Sequence, residues 1–433
     1  MLRICAVTLL LLSSNLAGAQ HNQIDLIRHD APTLAQYGKY DIGVRTIKVV
    51  DKDRIDVANT INGQQNQYYH RSLTLEVWYP AALAPDQSPG GQYQAMTRNA
   101  NVFATLNGSA VRGATPLKGA ERYPLVIISH GHPGNRFLLS HLGENLASKG
   151  FVVASIDHRD STYDDFKSFT STLYNRPLDQ RFVIDSIAKL AANSSSFLSG
   201  LVDADRTGVV GYSMGGYGLL NNLGAGYNDL VAASSITSPN SLVSAHASGN
   251  ADYRAGLDSR IKAGFAIAPW GMRLNFWRAE DLAGITVPTF YLAGDADNVS
   301  GYENGVRAIY QGAVNSDRYL LTFKNAGHSA GAPHPVPVEI LNSSDKIGAD
   351  HYSDPVWDNV RMNNIMDHFA SAFFLHHLVG DTESISYLDV VPDGRDAIYS
   401  MRNGKAGSTH NYWKGFGKNG AVGLKLEHLK PGQ

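Results

Sequence analysis

Apolar and polar residues alternate along two early stretches, residues 44–50 and 73–79, at the period of a half-buried β-strand. Two later stretches, residues 125–128 and 151–157, are nearly continuous apolar runs, which are typical of strands buried on both faces. The pattern therefore predicts two half-buried strands followed by two fully buried ones.

Strands alternate with helices along most of the remaining chain. Further strands are predicted at 207–210, 263–268, 289–293 and 319–323, the last of the chain. Helices are predicted at 137–149, 177–192, after residue 213, and at 359–379, where Gly380 ends the helix. Residues 81–120, rich in Ala, Gly, Pro and Gln, are interpreted as a surface excursion. This order predicts an α/β protein with a mostly parallel sheet and helices on both faces.

The stretch Gly211-Tyr212-Ser213-Met214-Gly215 lies between a predicted strand and a predicted helix. Gly-x-Ser-x-Gly in that position is typical of a nucleophile elbow, in which a tight turn presents the Ser hydroxyl above the sheet. Gly211 and Gly215 have no Cβ, so the strand and the helix can approach closely. Ser213 is therefore the candidate nucleophile.

A Ser hydroxyl needs a base, and the base needs an orienting carboxylate, in the chain order Ser, Asp or Glu, His. His328 follows the predicted strand 319–323 and is the candidate base. The preceding strand leads into Gly294-Asp295-Ala296-Asp297. Asp297 is favoured as the acid because its spacing lets the loop turn back first, and Asp295 stays open as the competitor.

The oxyanion of an acyl-transfer reaction needs two hydrogen-bond donors. The expected donors are the backbone N–H groups of Met214, directly after the nucleophile, and of His132, in the loop after the strand 125–128. Neither His132 nor the pair His376-His377 is interpreted as a metal site, and no cofactor and no metal are predicted.

The 433 residues carry a formal net charge of −2 and no long basic run, so no nucleic-acid partner is predicted. Arg3, an apolar run and Ala17-Gly18-Ala19 indicate a signal peptide over residues 1–19, which contains the only cysteine, Cys5. No later run is long enough to span a bilayer. We therefore expect an exported protein, periplasmic or extracellular, with no disulfide and no stable membrane span.

Three segments resemble the platelet-activating-factor acetylhydrolase family and the related bacterial exported proteins often labelled predicted dienelactone hydrolases. They are Ser129-His130-Gly131, the block 146–154 with sequence LASKGFVVA, and Asp157-His158-Arg159-Asp160-Ser161. The resemblance extends over roughly residues 40 to 330. It implies an α/β-hydrolase fold and a Ser-His-Asp esterase acting on short or oxidised acyl esters of lipids.

The chain departs from that family at the acid. In the acetylhydrolases the acid follows the strand after the elbow helix, where this chain has Ala268, so the role returns to Asp297. That placement is more similar to cutinases and ordinary α/β-hydrolases. True dienelactone hydrolases use a Cys nucleophile, which this chain lacks after residue 19.

The sequence thus predicts an α/β-hydrolase domain over residues 20–380, with lid-like insertions, and a packed C-terminal extension over 381–433. The expected function is a serine esterase with a small-molecule ester substrate. A cutinase-like polyesterase, a peptidase and a non-catalytic ligand-binding protein are the alternatives. Two alternatives stay open for the segments 158–176 and 221–260: they form lids whose Tyr163, Phe166, Phe169 and Tyr227 line an acyl pocket, or these aromatic residues are ordinary packing.

Overall fold

A computed structural model describes residues 22–433. The predicted signal segment 1–19, with Cys5, lies outside the described residues. The strands are β1 (Asn22–Gln23), β2 (Asp41–Ile55), β3 (Tyr68–Ala82), β4 (Gly91–Met96), β5 (Phe103–Gly108), β6 (Val111–Arg112), β7 (Thr115–Pro116), β8 (Tyr123–Ser129), β9 (Val152–Asp157), β10 (Val202–Tyr212), β11 (Ile261–Ile267), β12 (Thr289–Gly294), β13 (Arg318–Phe323), β14 (Met401–Arg402), β15 (Lys405–Ala406) and β16 (Leu424–Leu429).

The α-helices lie mainly between the later strands. They are α1 (Ser140–Ser148), α2 (Phe169–Ala192), α3 (Met214–Asn222), α4 (Asp229–Ala232), α5 (Ala251–Ala255), α6 (Ala279–Leu282), α7 (Ala308–Gly312), α8 (Val338–Leu341) and α9 (Asn359–Phe374). A π-helical turn, Leu375–Val379, extends α9, and Gly380 ends it in the left-handed conformation at φ 81°.

The central sheet has the strand order β16-β13-β12-β11-β10-β8-β9-β3-β2-β6, with β7 beside β3. The strands from β9 to β13 in this order pair in parallel, whereas β3 and β16 join antiparallel on either side. The predicted α/β class is confirmed. Because the parallel strands all end at the same edge, the loops that follow β8, β10, β12 and β13 meet there.

Both faces of the sheet are covered by apolar contacts, as the continuous apolar runs predicted. Within β8, Val126 and Ile128 pack on the side of α1 and α9, while Leu125 and Ile127 pack on the side of α2 and α3. The elbow strand β10 lies in the middle, with Gly211 opposite Ser129 of β8 and opposite Ala266 of β11. The site is therefore built on the most deeply buried part of the sheet.

Two sequence predictions about the edges are wrong. Residues 81–120 are not only an excursion, because β4 and β5 form a hairpin that pairs with β1 as a second, three-stranded sheet. Strand β13 is not the last strand, because Leu424–Leu429 returns as β16 and pairs with it along its whole length. The alternating sequence LKLEHL of β16 carries a strand signal, with Leu424 and Leu426 buried.

Helix α2 begins eight residues before the predicted start, with Pro177 in its interior. A proline lacks the N–H that would bond to the carbonyl four residues earlier. The hydroxyl of Tyr217 in α3 donates to that carbonyl, Leu173 O, at 3.2 Å. The neighbouring helix thus satisfies the group that Pro177 leaves unbonded, and α2 continues.

Candidate active site

Ser213 lies at the turn between β10 and α3, in a backbone conformation that few non-glycine residues adopt, with φ 52° and ψ −111°. The turn is held by close packing, since a Cβ at Gly215 would collide with the Ser129 carbonyl and a Cβ at Gly211 with Gly215. The Ser213 N–H donates to Ile267 O at 2.9 Å, which ties the turn to β11. These are the geometric features of a nucleophile elbow.

The loop after β13 brings His328 to this serine. Its Nε2 lies 3.0 Å from Ser213 Oγ, and its Nδ1 lies 2.9 Å from Asp297 Oδ2. The other carboxylate oxygen, Asp297 Oδ1, accepts from the N–H groups of Val299 and Ser300 at 2.8 and 2.9 Å. Asp297 is fixed by the backbone and buried, so it orients the imidazole ring rigidly.

Asp295, the competing acid, points elsewhere. It is exposed, and its Oδ1 accepts from the backbone N–H of Asn325 at 2.5 Å. This bond joins the loops after β12 and β13, so Asp295 is a loop-closing residue. Of the two carboxylates, the structure brings only Asp297 to His328.

The residues of the two expected oxyanion donors both lie close to Ser213. Met214 is the first residue of α3, so its N–H has no acceptor within the helix. His132 lines the same cleft as Ser213, and the Gly131 position beside it faces Ser213 Cβ. The structure thus brings Met214, His132 and the three side chains together.

The side chain of His132 does not take part in this arrangement. Its ring packs against Phe166 and Phe169, with centroids 4.9 Å away in each case, and its Nδ1 lies 3.3 Å from Thr172 Oγ1. Burial, and then the positive charge of Arg176, lower its pKa to about 4. The ring is therefore uncharged at neutral pH, so it cannot stabilise an oxyanion as a cation.

A cleft of about 620 Å³ opens above Ser213 and His328. One wall is the segment 347–355, between α8 and α9, which the sequence interpretation missed. This wall stabilises the loop after β13 that carries His328, here called the histidine loop. Asp354 Oδ2 accepts from Gly327 N at 2.7 Å, and Ser329 Oγ donates to His351 O at 3.1 Å. No sequence motif marks the segment.

Of the two alternatives for the aromatic residues of 158–176 and 221–260, the structure favours packing over an acyl lining, because none of the four side chains lines this cleft. Tyr227 is buried and stacks on Tyr217 at 4.6 Å between ring centroids. Tyr163 supports the cleft wall from behind, with its hydroxyl 3.0 Å from His351 Nε2. Phe166 and Phe169 contact the His132 ring instead.

Among residues 22–433, no three His, Cys, Asp or Glu side chains are grouped so that they could hold a metal ion. Over the same residues, every helix is too short or too polar to cross a bilayer.

The chain is similar in sequence to several known hydrolases. The family model described as platelet-activating factor acetylhydrolase, isoform II, matches residues 90–180. Cutinase est1 of Thermobifida alba is 29% identical over 210 residues, which cover 48% of this chain and 54% of the cutinase. Platelet-activating factor acetylhydrolase of Canis lupus familiaris is 29% identical over 231 residues, covering 49% of each chain. The similar region therefore spans about half the length of each of these relatives.

One solved structure is similar over most of its length. A ferulic acid esterase from Streptomyces cinnamoneus superposes with a TM-score of 0.52 at 21% identity, over 83% of this chain and 94% of that one. Together the comparisons confirm the predicted resemblance and the α/β-hydrolase fold.

Proposed function

We propose that this protein with an α/β-hydrolase fold is a serine esterase, hydrolysing carboxylic esters through an acyl-enzyme. One observation carries the proposal. An unbroken chain of hydrogen bonds runs from buried Asp297 through His328 to Ser213 at the floor of an open cleft. Such a chain supplies the nucleophile, the base and the orienting carboxylate of acyl transfer.

In the first step, Ser213 Oγ attacks the ester carbonyl carbon while His328 Nε2 takes the hydroxyl proton. The carbonyl π electrons move to the oxygen, which the N–H groups of Met214 and His132 stabilise by roughly 3–4 kcal/mol per donor. The tetrahedral intermediate then collapses, the C–O bond to the alcohol breaks, and His328 returns the proton to the departing alcohol. Asp297 stabilises the imidazolium between these two transfers.

Water then repeats the sequence on the acyl-enzyme. His328 takes a proton from water, the hydroxide adds to the acyl carbon, and Ser213 leaves with the proton. The carboxylic acid is released and the enzyme is restored, so no cofactor is required. The strained backbone of Ser213 keeps its hydroxyl in line with the base throughout.

The proposed substrates are short-acyl or lipid-like esters of small alcohols. The similarity to an acetylhydrolase and to a cutinase supports this class. The cleft volume of about 620 Å³ is within the usual range for small-molecule sites. We also propose that the protein is exported, on the signal-like composition of residues 1–19.

The decisive experiment compares Ser213→Ala with the parent protein on p-nitrophenyl esters of increasing acyl length. We expect the variant to lose at least about 10⁴-fold in kcat, because the hydroxyl bonded to His328 is removed. A fluorophosphonate should add to the parent protein on the peptide containing Ser213 and fail to add to the variant. Ser140→Ala, a buried serine in α1, is the matched control and should keep its activity.

The outcomes separate the alternatives. Release of monomers from a polyester film at rates comparable to small esters would favour a polyesterase, and cleavage of short peptides a peptidase. A folded parent protein that reacts with neither esters nor fluorophosphonate would favour a ligand-binding protein and contradict the proposal.

A further inference from the structure

One buried arginine, Arg176 of α2, donates hydrogen bonds to the loop that carries the His132 N–H. The Arg176 guanidinium in α2 donates to His130 O, to Gly131 O at 3.2 Å, and to Ser161 Oγ at 2.7 Å. All three acceptors are neutral, and burial lowers the pKa of Arg176 to about 9. A buried cation bonded only to neutral groups costs free energy, which indicates a role other than stability.

The direction of the Gly131 carbonyl fixes the direction of the His132 N–H. Among the described residues the cis peptide bond is that between His132 and Pro133, so the Gly131–His132 peptide is trans. In a trans peptide the C=O and N–H point to opposite sides. Since Gly131 O points to Arg176, the His132 N–H points away from it.

A second donor acts on the same carbonyl. His130 Nδ1 lies 2.7 Å from Gly131 O, while the backbone N–H of His158 donates to His130 Nε2 at 3.2 Å. These two contacts require the proton of His130 to sit on Nδ1, so that it too donates to Gly131 O. A carbonyl that accepts two hydrogen bonds polarises its peptide and makes the attached N–H a stronger donor.

The His158 ring is in turn fixed by hydrogen bonds to two fully buried side chains, those of Ser129 and Asp179. Its Nε2 lies 2.8 Å from Ser129 Oγ, and its Nδ1 lies 3.0 Å from Asp179 Oδ2. Asp179 also accepts from Arg71 Nε and Nη2, at 2.7 and 2.8 Å. This second Ser-His-Asp arrangement is closed to solvent, so it orients the loop rather than reacting.

Helix α2 also contacts the backbone next to the other proposed oxyanion donor. One turn after Arg176, the Gln180 side chain donates to Gly215 O at 2.9 Å, in the first turn of α3 that begins with Met214. The same helix therefore contacts the backbone beside both N–H groups, and Arg176 also packs against Gly218 of α3. Helix α2 therefore contacts both backbone segments that carry the proposed donors.

We propose that Arg176 is a positioning residue that aims and strengthens the His132 N–H for the oxyanion. The inference rests on the proposed esterase function. Loss of the Arg176 guanidinium should weaken binding of the transition state and leave ground-state binding of an ester nearly unchanged.

The test compares Arg176→Met and Arg176→Lys with the parent protein on p-nitrophenyl acetate. We expect kcat/KM to fall about 100-fold in Arg176→Met, the usual effect of losing one oxyanion donor. Arg176→Lys keeps a nitrogen donor on a long side chain that can bond to one of the two carbonyls, so it should recover at least part of that loss. Arg181→Met is the matched control, since Arg181 in the same helix also bonds a carbonyl, Gly256 O, away from the site.

A second readout distinguishes positioning from general damage. A trifluoromethyl ketone, which forms an oxyanion with the nucleophile, should bind Arg176→Met about 100-fold more weakly. The matching ketone without fluorine should bind all variants alike. Equal weakening of both ketones, or a folded Arg176→Met with kcat/KM within threefold of the parent, would overturn the inference.

If both variants fail to fold, a crystal structure of the parent protein with the trifluoromethyl ketone decides. The inference requires the hemiketal oxygen to accept from the His132 N–H while Gly131 O stays on Arg176, and any other acceptor geometry overturns it. A parent protein inert to esters and to fluorophosphonate would instead contradict the proposed function itself.

Discussion

Asp295 and Asp297 are two residues apart and chemically identical, but they differ in burial and in hydrogen-bond partner. Both lie in the loop after β12, but Asp297 is buried and bonded to His328, whereas Asp295 is exposed and bonded to the Asn325 N–H. The difference arises because Val299 and Ser300 N–H groups turn the Asp297 carboxylate inward. The two residues therefore form a natural pair for mutagenesis.

We predict that Asp297→Asn lowers kcat for p-nitrophenyl acetate by about 10⁴-fold. The amide group would donate to His328 Nδ1 and force the proton onto Nε2, which then cannot accept from Ser213. Asp295→Asn can still accept from Asn325 and should stay within about threefold of the parent. Steady-state kinetics of both variants test this, and equal losses would contradict the assignment of the acid.

The elbow and the histidine could be predicted because their chemistry follows chain order. Ser213 and His328 each follow a recognisable strand, and the structure brings them within 3.0 Å. Arg176 and His158 could not be found in this way, because their partners are scattered and no motif spacing links them. Their contacts exist only once α2 has packed beneath the loop after β8.

Helices and strands depend on contacts that local sequence does not contain. Pro177 suggested a helix start, but Tyr217 from α3 bonds the carbonyl that the proline leaves free, so α2 begins at Phe169. The small sheet of β1, β4 and β5 was missed because β1 has only two residues and pairs with β5, which is distant along the chain. Tertiary contacts decided both cases.

Glu144 joins helix α1 to the small sheet of β1, β4 and β5. It lies in α1 and accepts from the N–H groups of Ser109 and Ala110, just after β5, at 2.7 and 3.2 Å. Tyr93 of β4 also donates to it. Burial raises the pKa of Glu144 to about 7, from 4.5 for an exposed carboxyl. The folded state therefore favours the protonated form, and this group adds stability below pH 4.5 that is lost as the pH rises through about 7.

We predict that Glu144→Gln removes this dependence. Between pH 4.5 and 8 the parent protein should lose on the order of 3 kcal/mol of unfolding free energy from this group, and the variant should not. Urea unfolding at several pH values measures the difference. Glu121→Gln, at an exposed position, is the control and should follow the parent curve, and parallel curves for parent and Glu144→Gln would contradict the prediction.

At the scale of the whole molecule, the tail after residue 380 completes the central sheet. Strand β16 covers β13, and Arg318 in β13 donates to Gln433 O at 2.6 Å. We therefore propose that residues 381–433, interpreted from the sequence as an extension, are integral to the folded domain. Without β16, the backbone groups of β13 at the sheet edge would be free to pair with another chain.

We predict that a chain ending at Gly423 unfolds at lower denaturant concentration and self-associates. The cause is the loss of buried Leu424 and Leu426 together with the exposed edge of β13. Replacing the exposed hairpin 401–406 by two glycines is the control, and should change neither property. Light scattering and urea unfolding measure both, and a monomeric, equally stable truncated chain would refute the prediction.

The wall formed by residues 347–355 has a practical consequence for laboratory evolution. Its second half is tied to the histidine loop through Asp354 and His351, whereas Ile347 and Asp350 face the cleft from exposed positions. A mutant library that varies residues 347–350 and spares 351–354 would alter which esters enter while the reacting groups keep their alignment. Selectivity and turnover could then be selected separately in one scaffold.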